Sequence, residues 1–221
     1  MSSTAAVNDS NDSLEIKVAT ADDTERLMQF LHAHYYREEP LTVGCPPPEP
    51  DAEDEAFLLS NLPHGTCLMA LCDGRIVGAA VAGPKLPDEA AHLFEEAARL
   101  SGTKWGRILG FLAIVERDAN VFERLQVPKA LHLHALGVDS TLRGRRIGES
   151  IVTALSSRAR ELGYPALTTD CTSFYSARLM ERLNFQLLNT LPYTGYVDAA
   201  GVQLIKPPAP HEHVKTYVLR L

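Results

Sequence analysis

Apolar and polar side chains alternate over residues 14–20 (LEIKVAT), which predicts a first strand. Thr20 followed by Asp23 has the spacing of a helix cap, and the helix it opens would place Leu27, Phe30, Leu31 and Tyr35 on one face. That helix must stop by Glu39, because Pro40 biases the residue before it to extended backbone. The run PPPEP at 46–50 reads as a stiff surface connection, and residues 53–62 read as a second short helix. Apolar residues 68–71, the pair Asp73-Gly74 and the returning run RIVGAAVAG predict a hairpin. Residues 89–100 and 105–120 carry helical spacing on either side of Gly102. The run LHLHALGV predicts a central strand, and Ile147, Ile151, Leu155, Ala159 and Leu162 mark the helix after it, stopped by Gly163 and Pro165. ALTTDC is a short buried strand, and residues 173–183 a further helix closed by Asn184, which tolerates left-handed backbone. QLLNTLPY and HVKTYVLRL form the last two strands, with the segment KPPAPH between them. Strands alternating with helices, ending in an antiparallel pair, predict an α/β fold with a mixed central sheet and helices on both faces. Residues 1–13 lack periodicity and predict a disordered tail, leaving 14–221 as one domain.

Composition narrows the function. A chain of 221 residues with 45% apolar content can bury one substantial core. A net charge of −7 argues against nucleic acid or an anionic membrane as partner and favours cationic small molecules. The four cysteines form no C-x-x-C pair, so neither a metal site nor a disulfide framework is indicated. No membrane-length apolar run or leader is evident, and a cytoplasmic setting is the expectation. Nothing sets an oligomeric state; a monomer is compatible with the sequence.

The chemistry starts at the end of the central strand. Arg143, Arg145 and Arg146 stand beside Gly144 and Gly148, and Ile147 opens the helix. Glycines let backbone N–H groups come close, a helix N-terminus supplies free donors, and arginines add charge and forked hydrogen bonds: the parts of a polyphosphate site. The spacing is neither G-x-G-x-x-G nor G-x-x-x-x-G-K-[ST]. Read alone, it is also compatible with a basic, solvated helix start.

The hexad 143–148, RGRRIG, resembles the acyl-CoA loop R/Q-x-x-G-x-G/A of the GCN5-related N-acetyltransferases (the GNAT fold), with Arg146 where the central glycine is common. The pieces REEPL (37–41), CTSFYSARLMERLNF (171–185) and LIKPPAPH (204–211) resemble, in order, the insect arylalkylamine N-acetyltransferases and their agmatine- and polyamine-acetylating relatives. The resemblance implies transfer of an acetyl group from the cosubstrate acetyl-CoA to a small primary amine, agmatine or a polyamine or an arylalkylamine such as dopamine, tryptamine or serotonin. Arg143, Gly144, Arg145, Arg146, Ile147 and Gly148 would then hold the diphosphate. Leu136, Gly137 and Val138 would meet the pantetheine arm by backbone groups, with Gly137 marking either a distortion of the strand or only close packing.

An alkylamine enters as the ammonium and must lose a proton before attack, so the site needs a base. The resemblance places Glu39 there, directed by Pro40, which also borders the amine; a solvated acidic loop is the plain alternative. His132 and His134 compete for the role, both on one face of the strand with Leu131, Leu133 and Ala135 on the other. Thr172, Ser173 and Ser176 open the next helix where hydroxyls could reach the thioester, Ser176 by resemblance having the stronger claim and Ser173 contacting the coenzyme; hydroxyls there also serve as caps. Met180 stands where many relatives carry a tyrosine acid and cannot donate a proton. His211 would close over the amine. Two alternatives stay open: a protein or peptide α-amine acetyltransferase, and a non-catalytic CoA-binding module.

Overall fold

The computed structural model describes residues 14–221, so the expected tail at 1–13 lies outside the described residues. Strands β1 (Glu15–Val18), β2 (Leu68–Cys72), β3 (Arg75–Lys85), β4 (Ala130–Val138), β5 (Ala166–Cys171), β6 (Gln186–Pro192) and β7 (His213–Arg220) form a seven-stranded sheet in the order β1-β2-β3-β4-β5-β7-β6. Only β4 and β5 run parallel; every other neighbouring pair is antiparallel. The mixed sheet matches the expectation from sequence.

The helices are α1 (Thr24–His34), α2 (Pro40–Gly44), α3 (Ala52–Leu59), α4 (Glu89–Arg99), α5 (Lys104–Ala119), α6 (Val121–Leu125), α7 (Ile147–Glu161) and α8 (Phe174–Arg182). On one face of the sheet Ile151 and Leu155 of α7 and Met180 of α8 pack with Leu131, Leu133 and Leu167. On the other, Leu27, Phe30 and Leu31 of α1 pack with Met69, Ala79 and Val81. Farther along that chain, Phe111 and Val115 of α5 pack with Tyr193 and Val214. The β2–β3 turn has positive φ at both central residues, Asp73 (50°) and Gly74 (76°), as a two-residue hairpin of right-handed twist requires.

Three local expectations change. The helix carrying Leu27 ends at His34, well before Pro40, and Tyr35 is its C-cap. Pro40 then starts a helix of its own, inside the stretch 41–50 expected to be loop, because a proline lacks only an N–H that the first turn leaves unpaired anyway. The region 53–62 is helical only to Leu59, and a separate 3₁₀ turn spans Leu62–His64.

The central strand departs most. Val81 pairs with Ala135 and Ala82 with Leu133, so His134 has no partner on β3 and forms a bulge. The distortion expected at Gly137 is therefore at His134. Gly137 pairs regularly with Ala79, and an added Cβ would sit 3.3 Å from a Phe30 ring carbon, so close packing is its role. The extra residue flips the alternation. Ala135, expected to share a face with Leu131 and Leu133, joins the α1 side. On its other edge β4 pairs with β5 only from Leu131 to Leu133, and the two strands part beyond that point.

The connection between β6 and β7 is tied to α2 by the Lys206 N–H, which donates to Gly44 O at 2.7 Å. A Cβ on Gly44 would lie 2.7 Å from Pro207 N and 2.9 Å from its Cα, and neither backbone atom can step aside cheaply. Gly44→Ala is expected to cost about 1–3 kcal/mol, read as a lower urea midpoint at constant m-value.

Candidate active site

Between the sheet and the layer formed by α2, α3, α4 and α5 lies a cavity enclosing about 760 Å³ of empty space, part of it open to solvent. Leu41, Phe57, Leu93, Trp105, Ile108 and Leu112 give it apolar walls. Among them stand five carboxyl groups, Glu39, Asp54, Glu89, Glu116 and Asp170, against one lysine, Lys85. A ligand that fits this lining is an alkyl chain carrying positive charge.

Glu39 is 7% exposed and caps α2. Its Oε1 accepts from Leu41 N at 3.0 Å, and its Oε2 accepts from Thr42 N at 2.6 Å and Thr42 Oγ1 at 2.8 Å. Those donors, with Pro40 behind it in the first turn, fix the direction of a carboxylate that faces the cavity. Tyr193 joins this end of the cavity to β5, because its hydroxyl donates to Thr172 O at 2.8 Å. Burial, and then the Glu39 charge, hold that phenol well above its ordinary range, which places Glu39 close by.

His132 and His134 both line the cavity, their rings 4.8 Å apart. His132 Nδ1 meets Thr168 Oγ1 at 2.8 Å, and its Nε2 lies 3.7 Å from Asp170 Oδ2. His134, on the bulge, stands edge-on to Phe57 at 4.9 Å. Burial, then the Lys85 charge, push both imidazoles down, His132 well below its usual value and His134 to about 3. Both are held neutral at ordinary pH. Gly83, on the neighbouring strand, makes the space for Asn61: a Cβ there would fall 1.8 Å from Asn61 Oδ1, and only in ordinary contact, 3.5 Å, with His134 Nε2.

Lys85 forms a buried ion pair with Glu116 and is 3% exposed. Burial opposes its charge, but Glu116 and Asp170 outweigh burial and hold the ammonium above its usual value. Asp170 is raised by burial against the pull of Lys85, and its Oδ1 accepts from Thr216 Oγ1 at 2.6 Å. None of Asp54, Lys85, Glu89, Glu116 or Asp170 was singled out from the sequence, although a signal existed. Trp105, Ile108, Leu109, Leu112 and Glu116 share one helical stripe, as do Asp54, Phe57 and Leu58, so a charge sits on an apolar face in each.

On the opposite side of the strand parting, the turn before α7 has the geometry of an anion cradle. Gly144 (φ 83°) and Arg146 (φ 60°) are both left-handed, which explains why glycine suits the second position. Arg146 is the N-cap and no side chain caps α7, leaving first-turn N–H groups for a ligand. Ile147 is buried and anchors the turn, while a Cβ on Gly148 would touch Leu179 and Val138 at 3.4 and 3.6 Å. Arg143 is ion-paired with Glu38, next to Glu39. Leu136, Gly137 and Val138 run along the edge that β5 has left. These residues fit a coenzyme with an amide-bearing arm and a diphosphate.

The remaining candidates lie outside the amine cavity. Ser173 is the N-cap of α8, accepting from Ser176 N at 3.0 Å, and Ser176 Oγ sits 2.9 Å from Ser173 Oγ and donates to Ser173 O at 3.0 Å. His211 accepts from Phe174 N at 3.1 Å and meets the Tyr175 ring at 5.8 Å, and burial pushes its imidazole down against the charges of Glu39 and Glu38. The α8 N-terminus offers that imidazole a free donor, so it joins the segment 206–211 to the helix. Met180 is 1% exposed, packed in the core. Thr172 alone of the hydroxyl group lines the cavity.

A seven-stranded sheet whose central parallel pair parts beside an arginine- and glycine-lined helix start defines an acyl-coenzyme A-dependent transferase, and residues 28–185 match the Acetyltransferase (GNAT) family. The chain belongs to that family and is an acetyltransferase. It is similar to a crystal structure of a serine-to-alanine variant of an agmatine N-acetyltransferase in its apo form, with 52% identity, TM-score 0.92 and coverage of 95% of this chain and 100% of that one. A Drosophila melanogaster polyamine N-acetyltransferase that forms N-acetylagmatine is 53% identical (TM-score 0.91), again over 95% and 100%. A mosquito arylalkylamine N-acetyltransferase-like protein, 5b, is 35% identical (TM-score 0.89) over the same shares.

Burial, followed by the charge of Glu39, raises the Asp54 carboxyl from its ordinary 3.8 to about 8. An acid bound more tightly to its proton in the folded state stabilises below the ordinary pKa, and that contribution is lost as pH rises through about 8. Asp54→Asn is therefore expected to raise Tm at about pH 9 and to change it little at about pH 5, checked by thermal melts across that range.

Proposed function

We propose that the protein acetylates the primary amino group of a small alkyl dication, agmatine or a polyamine, using acetyl-CoA, in preference to arylalkylamines. The observation that carries this is the excess of carboxyl groups in an otherwise apolar cavity. The neighbours at 52% and 53% identity, an agmatine and a polyamine N-acetyltransferase, support it over the arylalkylamine class, which stands at 35%.

Bound acetyl-CoA supplies an acetyl group activated as a thioester. The turn 143–148 holds the diphosphate by backbone N–H groups and arginine charge, and the free edge at Leu136, Gly137 and Val138 pairs with the arm as an added strand would. A backbone N–H of that edge donates to the oxyanion. Glu39 attracts the ammonium and takes its proton; the freed nitrogen adds to the acetyl carbon, the oxyanion so formed collapses with cleavage of the carbon–sulfur bond, and the second proton shed by the nitrogen passes through water to the departing coenzyme thiolate, all in one ternary complex. The neutral histidines and Thr172 line the reacting end and organise water there, which leaves the proton-accepting role to Glu39. Ser173, Ser176 and His211 set the start of α8 on the coenzyme side.

The direct test is kcat/KM with acetyl-CoA for agmatine, putrescine, tryptamine and dopamine. The dications are expected to lead; arylalkylamine values equal to or above theirs overturn the substrate assignment. Glu39→Gln, which keeps the shape of the α2 cap, should lower kcat by about 10²-fold or more, and an unchanged rate would move the proton to another group. Arg143→Ala and Arg145→Ala should instead weaken acetyl-CoA binding in calorimetry, with kcat at saturation nearly kept.

A further inference from the structure

The carboxyl groups of the cavity are not equivalent. Glu116 has Lys85 as a direct ion-pair partner, and the Lys85 charge also acts on Asp170 and Glu89. Glu39 has its donors on α2. Asp54 has no ion-pair partner of this kind, and the group that acts on it as a donor is the Tyr36 hydroxyl. Asp54 is only 9% exposed, it lines the cavity, and no lysine, arginine or histidine among the described residues lies within ion-pair distance of it. The hydroxyl beside it, Tyr36 Oη, is buried and makes no hydrogen bond of ordinary geometry. The charges around it mostly repel: Glu39, Asp51 and Glu55 oppose its ionisation, and only Lys104 favours it. Lys104 is occupied elsewhere, its Nζ donating to Pro47 O and Glu49 O, each at 2.6 Å.

A buried carboxyl with no cationic partner is costly to ionise, and a cation placed in the cavity beside it would supply what the protein does not. Position says which cation. Glu39 stands at the reacting end, near Tyr193 and Thr172. Asp54 stands on α3, one turn before Phe57, whose ring lies 6.0 Å from Trp105. Those rings provide an apolar and π-rich passage for the methylenes and the far charge of an alkyl dication. The opposite, inner end is unsuited to it, since Lys85 already sits there as the counter-charge.

We propose that Asp54 determines specificity by binding the distal cation of the substrate, a guanidinium or second ammonium, while Glu39 serves the amino group that reacts. Resting as it does on the amine-acetylating function above, this assignment adds where the second charge is read. A monocationic amine of equal length fills the same cavity and leaves Asp54 unpaired, so Asp54 rewards only the dication.

The test compares chain-matched substrates, putrescine with butylamine and agmatine with pentylamine, on wild type, Asp54→Asn and Asp54→Glu, with acetyl-CoA titrated calorimetrically into each variant to show an intact fold. Asp54→Asn is expected to lower kcat/KM for the dications by about tenfold to a hundredfold, mainly through KM, and to lose far less on the monoamines. Asp54→Glu, which restores the charge, should recover part of the dication loss. Equal losses on both classes would assign Asp54 to general organisation of the site, and an unchanged dication KM would put the second charge elsewhere; either overturns the inference. Wild type that turns over neither class overturns the amine-acetylating function itself, whereas wild type active on dications with Asp54→Asn unchanged overturns only the role of Asp54.

Discussion

The architecture turns on two parallel strands that stop hydrogen-bonding before either has ended. β4 and β5 pair from Leu131 to Leu133, yet β4 runs on to Val138 and β5 to Cys171. Peptide groups on the abandoned edge need partners of some kind, since an unpaired backbone donor or acceptor inside a protein costs about as much as a lost hydrogen bond. A ligand built from amides meets that need. The bulge at His134 makes the parting possible, because one extra residue bends the strand and reverses which face each later side chain takes. It also divides the strand in two. Up to and at the bulge the strand presents imidazole to the carboxyl-lined cavity; after it, the same strand presents an edge that β5 has left and runs towards the turn that opens α7.

The cavity itself is held in a state that water would not choose. Lys85 and Glu116 are buried together, and a pair of this kind is weak evidence for stability, since desolvation consumes most of the attraction. Its effect is electrostatic instead. Burial first, and then a fixed positive charge at the inner end, keep His132 and His134 neutral, and the other end is left negative. The site thus has a direction, set by charges that a more stable apolar core would have lacked.

Much of this was legible in the sequence where the cause is local. Asp73-Gly74 forces its hairpin, Asn184 adopts the left-handed cap expected of it, and the arginine and glycine turn sits at the start of α7 as its composition implied. Pairing between distant segments was not legible. The string LHLHALGV alternates without fault, and only its register against β3 shows that His134 is supernumerary. Ser173 and His211, singled out through a motif, also accept from N–H groups at the open end of α8, a local contact that the motif alone does not reveal. Asp54 and Glu116 were hidden for another reason. A charge on the apolar stripe of a helix reads as noise in a short window, and only the packed structure shows that both stripes face one hollow.

The segment 204–211 behaves as a tie-bar. At one end its backbone is fastened to Gly44, directly behind the helix that carries Glu39, and at the other His211 is fastened to the first turn of α8. The helix bearing Glu39 and the first turn of α8 are thereby clamped by a single proline-stiffened span. Changing its length or composition would alter the spacing of both walls together, so neither can be repositioned through that span alone.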